Sequence, residues 1–329
     1  GYDLRQPRET DVLTVSGDRT TPPYLRISTL SIFDGETWVA SPDSAVGSLA
    51  TLAASPTVEV GPDMRVTEYT STIDVKNLAM AWLPLPYAAV EISGLTGEWQ
   101  TGSDTRTARS AAESTSAGSQ RYTVLSREVR PSAEQIRAAA TGSARYPDLA
   151  ELPAGTPARV SELAAAVTAE ATNDYDRLVA LQTWFRSSEF EYSLDAPVED
   201  GFDGDSMAAI DRFLEVRAGY CAHFAAAFTL MARSLDMPAR IVVGFLPGSS
   251  TNDVDADNQR VYKVTSSQLH AWPEVYFEGI GWVAFEPTQS LGTPTAFAAD
   301  QPAEAGGTEV GATAAPTEAP VVPEATAQP

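Results

Sequence analysis

The 329-residue chain has few of the residues that form covalent cross-links or bind polyanions. It contains one cysteine, two histidines and 22 basic against 44 acidic residues, which gives a formal net charge of −22. A single cysteine excludes an internal disulfide, so cysteine usage does not reveal the compartment. Because the acidic excess repels nucleic acid, we exclude a nucleic-acid partner. No apolar run approaches the ~20 residues that a membrane-spanning helix needs.

The single cysteine, Cys221, lies where the sequence predicts the start of a buried helix. Gly219, two residues before the cysteine, is a poor helix former and marks the start of the helical pattern. Pro238 ends that pattern because proline lacks an amide proton. The apolar residues between them recur at helical spacing: Phe224, Phe228, Met231 and Leu235. Free amide groups and the helix dipole at a first turn favour a thiolate, so the position predicts a nucleophile. The alternative is a small core residue, since free cysteines are often buried.

The chain offers two histidines as a base for that thiol. His223 lies two residues after Cys221, about 200° around the helix at ~100° per residue, so it points away from the sulfur. We interpret it as a packing or hydrogen-bonding residue. His270 opens a predicted β-hairpin and is the better candidate base, since a thiol nucleophile needs a separate group to take its proton. Glu286, on the returning strand, is the candidate acid that orients the histidine.

The parity of the hairpin loop decides whether Glu286 can reach His270. An even loop pairs Glu286 with Pro273 and turns its side chain to the opposite face of the sheet. An odd loop centred on Gly279 pairs it with Trp272, and Glu286 then shares a face with His270 as a diagonal neighbour. Glycines at positions 279 and 281 suit the odd loop. We therefore predict that Trp272 lies opposite Glu286.

Composition and turn signals divide the chain into three parts. Residues 1–130 are predicted to form a β-rich N-terminal domain, 131–292 an α+β core, and 293–329 a disordered Ala/Pro/Thr/Glu linker. Residues 101–120 are almost wholly small, polar or charged, and they are predicted to be a mobile loop. Helix starts in the core are predicted from capping residues at Ser132, Thr156, Asp174 and either Asp205 or Ser206.

Four segments of the core resemble the transglutaminase-like superfamily. They are Gly219-Tyr-Cys-Ala-His-Phe-Ala225, Met237-Pro-Ala-Arg-Ile-Val-Val-Gly244, His270-Ala-Trp-Pro-Glu-Val-Tyr276 and Gly281-Trp-Val-Ala-Phe-Glu-Pro-Thr288. Three upstream segments are similar to the extracytoplasmic N-terminal region of bacterial membrane proteins that carry this domain. They are Tyr24-Leu-Arg26, Phe33-Asp-Gly-Glu-Thr-Trp38 and Leu83-Pro-Leu-Pro-Tyr87. The resemblance covers most of residues 20–290.

The resemblance implies a papain-like α+β core in which the cysteine helix packs on an antiparallel sheet. It also implies a catalytic triad of Cys221, His270 and Glu286, although the acid is usually aspartate in the superfamily. The implied oxyanion donors are the Cys221 backbone amide and an upstream aromatic residue, either Tyr192 or Trp184. The implied activity is acyl transfer from a protein glutamine to an amine through an acyl-enzyme. The alternatives are an amidase or peptidase with the same triad, and a non-catalytic envelope-binding or scaffolding domain.

The same resemblance implies a location at the extracytoplasmic face of the cell membrane. We expect a piece of a longer membrane protein, with flanking transmembrane segments outside this chain and a protein or peptide amide as substrate. We expect no cofactor and no metal. Asp253, Asp255 and Asp257 alternate as calcium ligands do, but the twelfth position of an EF-hand loop would be Val264, so that motif fails.

Overall fold

The computed structural model describes residues 9–41, 46–54, 60–61, 63–112, 115–142 and 144–295. The predicted linker at 293–329 therefore lies outside the described residues except for its first three.

The helices and strands alternate unevenly along the chain, with strands first and most helices in the middle. The strands are β1 Asp11–Gly17, β2 Leu25–Phe33, β3 Trp38–Ala40, β4 Gly47–Ser48, β5 Arg65–Val75, β6 Leu85–Pro86, β7 Ala89–Ser93, β8 Trp99–Gly102, β9 Thr107–Ser110, β10 Arg121–Arg130, β11 Glu191–Tyr192, β12 Ala218–Gly219, β13 Ala239–Phe245, β14 Ser249–Val254, β15 Arg260–Thr265, β16 Leu269–Phe277 and β17 Gly281–Ala284. The α-helices are α1 Ala50–Ala54, α2 Ala133–Ala138, α3 Ala158–Val167, α4 Asp174–Phe185, α5 Ala196–Glu199, α6 Met207–Val216 and α7 Cys221–Ser234.

Two antiparallel sheets dominate the fold, and each mixes strands from before and after residue 130. One has the order β14-β15-β1-β5-β10-β7, and the other has the order β17-β16-β13-β2-β3 with β6 paired to β2. Strand β1 lies between β5 and β15, while β2 pairs with β13. The α+β class and the β-rich N-terminal region predicted from the sequence are confirmed. The domain boundary at residue 130 stays a prediction, and strands from both sides of it share both sheets.

Strand β13 is buried along its whole length because it lies inside the second sheet. Its residues are apolar apart from Arg240, which is the pattern of a strand covered on both faces. Buried backbone N–H and C=O groups must be paired, and β16 and β2 provide the partners on the two edges. His270 lies opposite Gly244 in this sheet. The N-terminal region thus contributes β2 to the sheet that carries His270.

Helix α7 is the central helix of the core, and it begins at Cys221 as predicted. It packs against β13 and β16 and also contacts α3, α4 and α6. The predicted stripe members Phe224, Phe228 and Met231 are fully buried, and Leu235 is the C-cap. The other residues from position 223 to 233 are buried too. Strands and helices pack against α7 on several sides, so the whole circumference of the helix is covered and not only one face.

The predicted helix starts are close to the observed ones, with two corrections. Ser132 forms the predicted capping box with Gln135, and Ser206, not Asp205, is the N-cap of α6. Helix α3 has Pro157 as its N-cap and no side-chain cap, so the predicted cap at Thr156 is wrong by one residue. The predicted cap at Asp174 is also wrong by one residue, because the Asn173 side chain accepts the hydrogen bond from the Asp176 N–H.

The predicted mobile loop at residues 101–120 contains ordered structure instead. Strands β8 and β9 pair as a hairpin, and β4 adds to it. Arg106, at the turn of this hairpin, is buried, and its guanidinium donates to the Leu52 and Ala89 carbonyls at 2.6 and 3.3 Å. The prediction was wrong because it used composition alone, whereas these polar side chains find hydrogen-bond partners inside the protein.

Candidate active site

Cys221 is the first residue of α7 and is only 2% exposed. Tyr220 before it has an extended backbone, with φ of −115°, so the chain turns into the helix at the cysteine. Amides in the first turn of a helix have no partner within the helix, and the dipole places partial positive charge there. The local sequence therefore places the sulfur where a negative charge is stabilised.

His223 has the structural role that the sequence predicts. Its Nδ1 accepts from the Tyr220 N–H at 3.4 Å, and its Nε2 lies 2.9 Å from the Gly204 carbonyl. An acceptor at Nδ1 and a donor at Nε2 describe a neutral imidazole with both nitrogens engaged. His223 therefore fixes the entry to α7, and His270 is left as the candidate base.

The β16–β17 hairpin has the predicted odd loop. Phe277 pairs with Gly281, so residues 278–280 form a three-residue loop. Its centre, Gly279, has φ of +73°, and Gly281 has φ of +98°, which are conformations that favour glycine. The prediction of odd parity is confirmed.

The register of this hairpin continues past the end of β17. The Phe285 N–H donates to the Pro273 carbonyl at 2.9 Å, in step with the pairs before it. Trp272 therefore lies opposite Glu286, as predicted, and the carboxylate faces the same side as His270.

His270 and Glu286 form a buried pair. The distance between His270 Nε2 and Glu286 Oε2 is 2.9 Å, and the two residues are 1% and 2% exposed. The other carboxylate oxygen, Oε1, accepts from the Thr288 N–H at 3.1 Å. Because Nε2 faces the carboxylate, Nδ1 is the nitrogen that remains for the thiol.

The imidazole of His270 is shifted towards its protonated form. Burial on its own lowers the pKa, but the Glu286 carboxylate, and a hydrogen bond and charge interaction with Cys221, raise the pKa from 6.5 to about 10. Cys221 and Glu286 thus act on the same imidazole. A protonated imidazole beside a sulfur stabilises a thiolate, which is the reactive form. This geometry can support proton transfer between Cys221 and His270.

Two polar residues at the C-terminal end of α4, Gln182 and the C-cap Arg186, hold the backbone around Glu286. The Gln182 Oε1 atom accepts from the Glu286 N–H at 2.9 Å and from the Thr295 N–H at 3.0 Å. Arg186 Nη1 donates to the carbonyls of Glu286, Thr288 and Leu291 at 3.2, 2.6 and 2.7 Å. The sequence analysis missed both residues. One signal was available, since Gln182 is a polar residue one turn after Leu178 on the apolar face of the predicted helix.

Tyr24 brings the N-terminal region into contact with the acid. Its hydroxyl lies 3.3 Å from Glu286 Oε2 and accepts from the Thr293 N–H at 2.9 Å. Gly292, with φ of +56°, lies so close that a Cβ there would be 2.3 Å from Glu286 Oε2. Tyr24 belongs to a segment that carries the family resemblance, but sequence reasoning did not assign it a role.

The predicted oxyanion residues occupy different surroundings. Strand β11 pairs in parallel with β12, which sets Tyr192 opposite Gly219, two residues before Cys221. Burial, and then the charge of Cys221, raise the pKa of Tyr192, as expected for a phenol close to the sulfur. Trp184 instead packs against the rings of Phe185 and Phe190, with centroid distances of 4.9 and 4.8 Å. The oxyanion roles stay predictions, and Tyr192 is the better placed of the two aromatics.

Within 9–41, 46–54, 60–61, 63–112, 115–142 and 144–295, no group of three or more His, Cys, Asp or Glu residues could hold a metal ion. In the same ranges no helix has both the length and the apolar character that crossing a bilayer requires.

Two separate stretches of the chain match known protein families. Residues 161–287 match the transglutaminase-like superfamily, and residues 1–133 match the TgpA N-terminal domain. The crystal structure of the periplasmic domain of TgpA from Pseudomonas aeruginosa has a TM-score of 0.59 at 21% identity and covers 86% of this chain and 88% of that one. The fold is therefore shared across both regions.

Two relatives have higher sequence identity over shorter stretches. The uncharacterized protein YebA of Bacillus subtilis is 33% identical over 180 residues, which is 54% of this chain and 23% of that protein. A protein-glutamine gamma-glutamyltransferase of Pseudomonas aeruginosa is 33% identical over 115 residues, 35% of this chain and 16% of that protein. The chain thus spans less than a quarter of each relative's length. Together, the matches support a thiol enzyme in general.

Proposed function

We propose that the chain, whose residues 161–287 match the transglutaminase-like superfamily, is a thiol acyltransferase acting on glutamine amides of proteins or peptides. The observation that carries this proposal is the buried His270, which contacts the Glu286 carboxylate through Nε2 and interacts with the Cys221 thiol. One of the relatives is named a protein-glutamine gamma-glutamyltransferase, which supports the same reaction class.

In the proposed first half-reaction, the Cys221 thiolate attacks the carboxamide carbon. The C–S bond forms, the carbonyl oxygen gains negative charge, and the Cys221 amide with Tyr192 stabilises that charge. The tetrahedral intermediate expels its nitrogen, which takes the proton held on His270 Nδ1 and leaves as ammonia. A thioester remains on Cys221, and His270 is neutral.

In the second half-reaction, a primary amine attacks the thioester. His270 accepts a proton from the attacking nitrogen, the C–S bond breaks, and the thiolate–imidazolium pair is restored. Glu286 keeps Nε2 protonated in both halves, so that Nδ1 is the nitrogen that exchanges the proton. The burial of Cys221 and His270 favours transfer over hydrolysis, because it limits access of bulk water to the thioester.

The proposal is tested by incubating the protein with N,N-dimethylcasein and a fluorescent primary amine, with and without the Cys221→Ser variant. We expect covalent incorporation of the amine and stoichiometric release of ammonia. Ammonia release without incorporation would indicate the amidase or peptidase alternative. No reaction, together with Cys221 alkylation by iodoacetamide that is unaffected by His270→Gln, would indicate the non-catalytic alternative.

We also propose that the domain acts at the extracytoplasmic face of a membrane, as part of a longer protein. The support is the fold shared with the periplasmic domain of TgpA and the match of residues 1–133 to the TgpA N-terminal domain. The measurement is protease digestion of whole spheroplasts that express the complete protein. The domain should be degraded without lysis, and protection until lysis would contradict this location.

A further inference from the structure

A cavity of about 440 Å³ lies beside the N-terminus of α7. Most of its wall is apolar and comes from two regions of the chain. The apolar wall includes Leu30, Trp38, Val39, Trp82, Ile241 and Val243. Asp205 is the charged residue that borders it. Cavities of this size and composition accept apolar groups and exclude charged ones unless a partner is present.

The cavity adjoins the candidate catalytic residues. Tyr220 and Ala222, the neighbours of Cys221 in the chain, both line it. A peptide whose amide carbon reaches the sulfur would therefore hold its adjacent side chains within reach of this wall. The cavity therefore lies beside the first turn of α7, where Cys221 is.

The N-terminal region builds one side of this cavity. Strand β3, which pairs with β2 in the sheet that also carries β13 and β16, provides Trp38 and Val39. The ring of Trp38 stacks on Phe33 at a centroid distance of 4.6 Å, which fixes its orientation. Val39 is 43% exposed, so it borders the open part of the wall. Residues of the first 130 thus form a surface that a substrate would touch.

We propose that this cavity is a subsite for an apolar or aromatic side chain of the peptide that carries the reactive glutamine. The proposal rests on the proposed function, because it assigns substrate specificity to the same centre. It gives the N-terminal region a role in selecting the acyl donor. Transfer of an apolar side chain from water to such a wall changes the specificity constant by ~10- to 100-fold.

The test uses peptides in which glutamine is replaced by 6-chloro-5-oxonorleucine, a chloromethyl ketone of the same length. The Cys221 thiolate displaces chloride, a C–S bond forms, and the mass of the chain increases at its single cysteine by the mass of the peptide less HCl. The residue before or after the ketone is varied among Phe, Leu, Ala and Asp. Second-order rate constants are divided by the rate constant for iodoacetamide, which has no side chain to place.

On one side of the ketone, we expect Phe and Leu to label ~10- to 100-fold faster than Ala, and Asp to be slowest. Val39→Asp should reduce the advantage of Phe to less than ~3-fold. Val39→Phe, which fills the cavity instead of charging it, should shift the preference towards Ala. Val66→Asp is the matched control, because Val66 on β5 is also 43% exposed and does not border the cavity; it should leave the preference unchanged.

Equal rates for all four residues on both sides, or an advantage of Phe that survives both Val39 variants, would overturn the proposal. These outcomes are distinct from failure of the proposed function. His270→Gln should slow iodoacetamide labelling, and that slowing supports the catalytic centre whatever the peptide preference. Labelling by iodoacetamide that does not depend on His270 would remove the catalytic centre, whereas the peptide preference would still be measured directly.

Discussion

Strand β16 contributes to two buried ionic groups that differ in what they can do, the Glu274 cluster with two arginines and the Glu286 pair with His270. Glu274 lies between Arg26 and Arg240, and Arg240 Nε is 3.1 Å from its Oε2. Four residues earlier on the strand, His270 is 2.9 Å from Glu286. All five side chains are almost fully buried. The two groups share a strand and a degree of burial, and they differ in the nature of the cation.

Arginine keeps its charge across the ordinary pH range, whereas histidine can lose its proton. The Glu274 cluster can therefore only hold elements together, and it joins β2 of the N-terminal region to β13 and β16. The Glu286 pair can exchange its proton with a neighbouring thiol. Because both groups are buried, removing one member leaves an uncompensated partner. For the Glu274 cluster the effect should appear in the free energy of unfolding, and for the Glu286 pair in the reactivity of Cys221.

The largest effect is expected for Glu286→Gln on turnover. The amide has nearly the same shape but cannot stabilise an imidazolium, and it permits the wrong tautomer of His270. We expect kcat to fall by ~10³- to 10⁴-fold. Glu286→Asp should retain part of the activity, limited by its shorter reach. Both variants are to be assayed by amine incorporation, with unfolding in urea as the control for stability. Full activity in both would show that another residue orients His270.

A second large effect is expected for Glu274→Gln, on stability. The substitution leaves Arg26 and Arg240 buried beside a neutral amide, which should lower the free energy of unfolding by ~3–5 kcal/mol. Alkylation of Cys221 in the fraction that remains folded should keep its dependence on His270. The change in the free energy of unfolding is measured by urea titration, with tryptophan fluorescence as the signal. A loss below ~1 kcal/mol would show that the Glu274 cluster does not hold β2, β13 and β16 together as described.

The pH dependence should distinguish the two pairs further. Because the Glu286 carboxylate and Cys221 outweigh burial and raise the pKa of His270 from 6.5 to about 10, folding favours its protonated form. Its contribution to stability should be complete below about pH 6.5 and lost as the pH rises through about 10. The slope should reach at most ~1.4 kcal/mol per pH unit in that window.

Two measurements check this prediction. Urea unfolding at pH 7, 8.5 and 10 should show the loss in the wild type and a smaller loss in His270→Gln. The chain has two histidines, so an NMR titration of the imidazole protons gives few signals to assign. The His270 signal should titrate far above pH 6.5. A midpoint near 6.5 for both histidines would contradict the predicted pairing.

The smallest effect is expected for Tyr24→Phe. Its hydroxyl donates to Glu286 Oε2 at a long 3.3 Å, so its loss should slow Cys221 alkylation by ~3- to 10-fold, about one hydrogen bond. The same substitution in a Glu286→Gln background should cost less than ~2-fold, because Tyr24 acts through that carboxylate.

Tyr262→Phe is the matched control for Tyr24→Phe. The Tyr262 hydroxyl bonds to the Thr20 carbonyl at 3.0 Å, and no part of that contact involves Glu286. It should have equal effects in both backgrounds. Equal effects of Tyr24→Phe in the two backgrounds would show that Tyr24 supports only the fold.

Local patterns were sufficient to predict the parts of the site that depend on short stretches of sequence. The start of α7 at Cys221 follows from a glycine, an apolar period and a proline. The face shared by His270 and Glu286 follows from the parity of one hairpin loop, which two glycines indicated.

The surroundings of Glu286 could not be predicted, because they depend on contacts across long sequence separations. Tyr24 lies 262 residues from Glu286, and Gln182 lies 104 residues away. Neither hydrophobic periodicity nor a capping pattern in the sequence indicates contacts between residues so far apart in the chain. The β8–β9 hairpin was missed for a related reason, since its buried Arg106 is satisfied by the carbonyls of Leu52 and Ala89, which lie elsewhere in the chain.

The path of the chain after Glu286 has a mechanical consequence. Residues 287–295 turn back along the Glu286 side chain, where Gly292 leaves no space for a Cβ. Arg186 donates to three backbone carbonyls of this segment and of Glu286. Tension applied to the chain beyond residue 295 would first load the bonds from Gln182 to Thr295 and from Tyr24 to Thr293. These hydrogen bonds would have to break before a force on the following segment could displace the Glu286 carboxylate from His270.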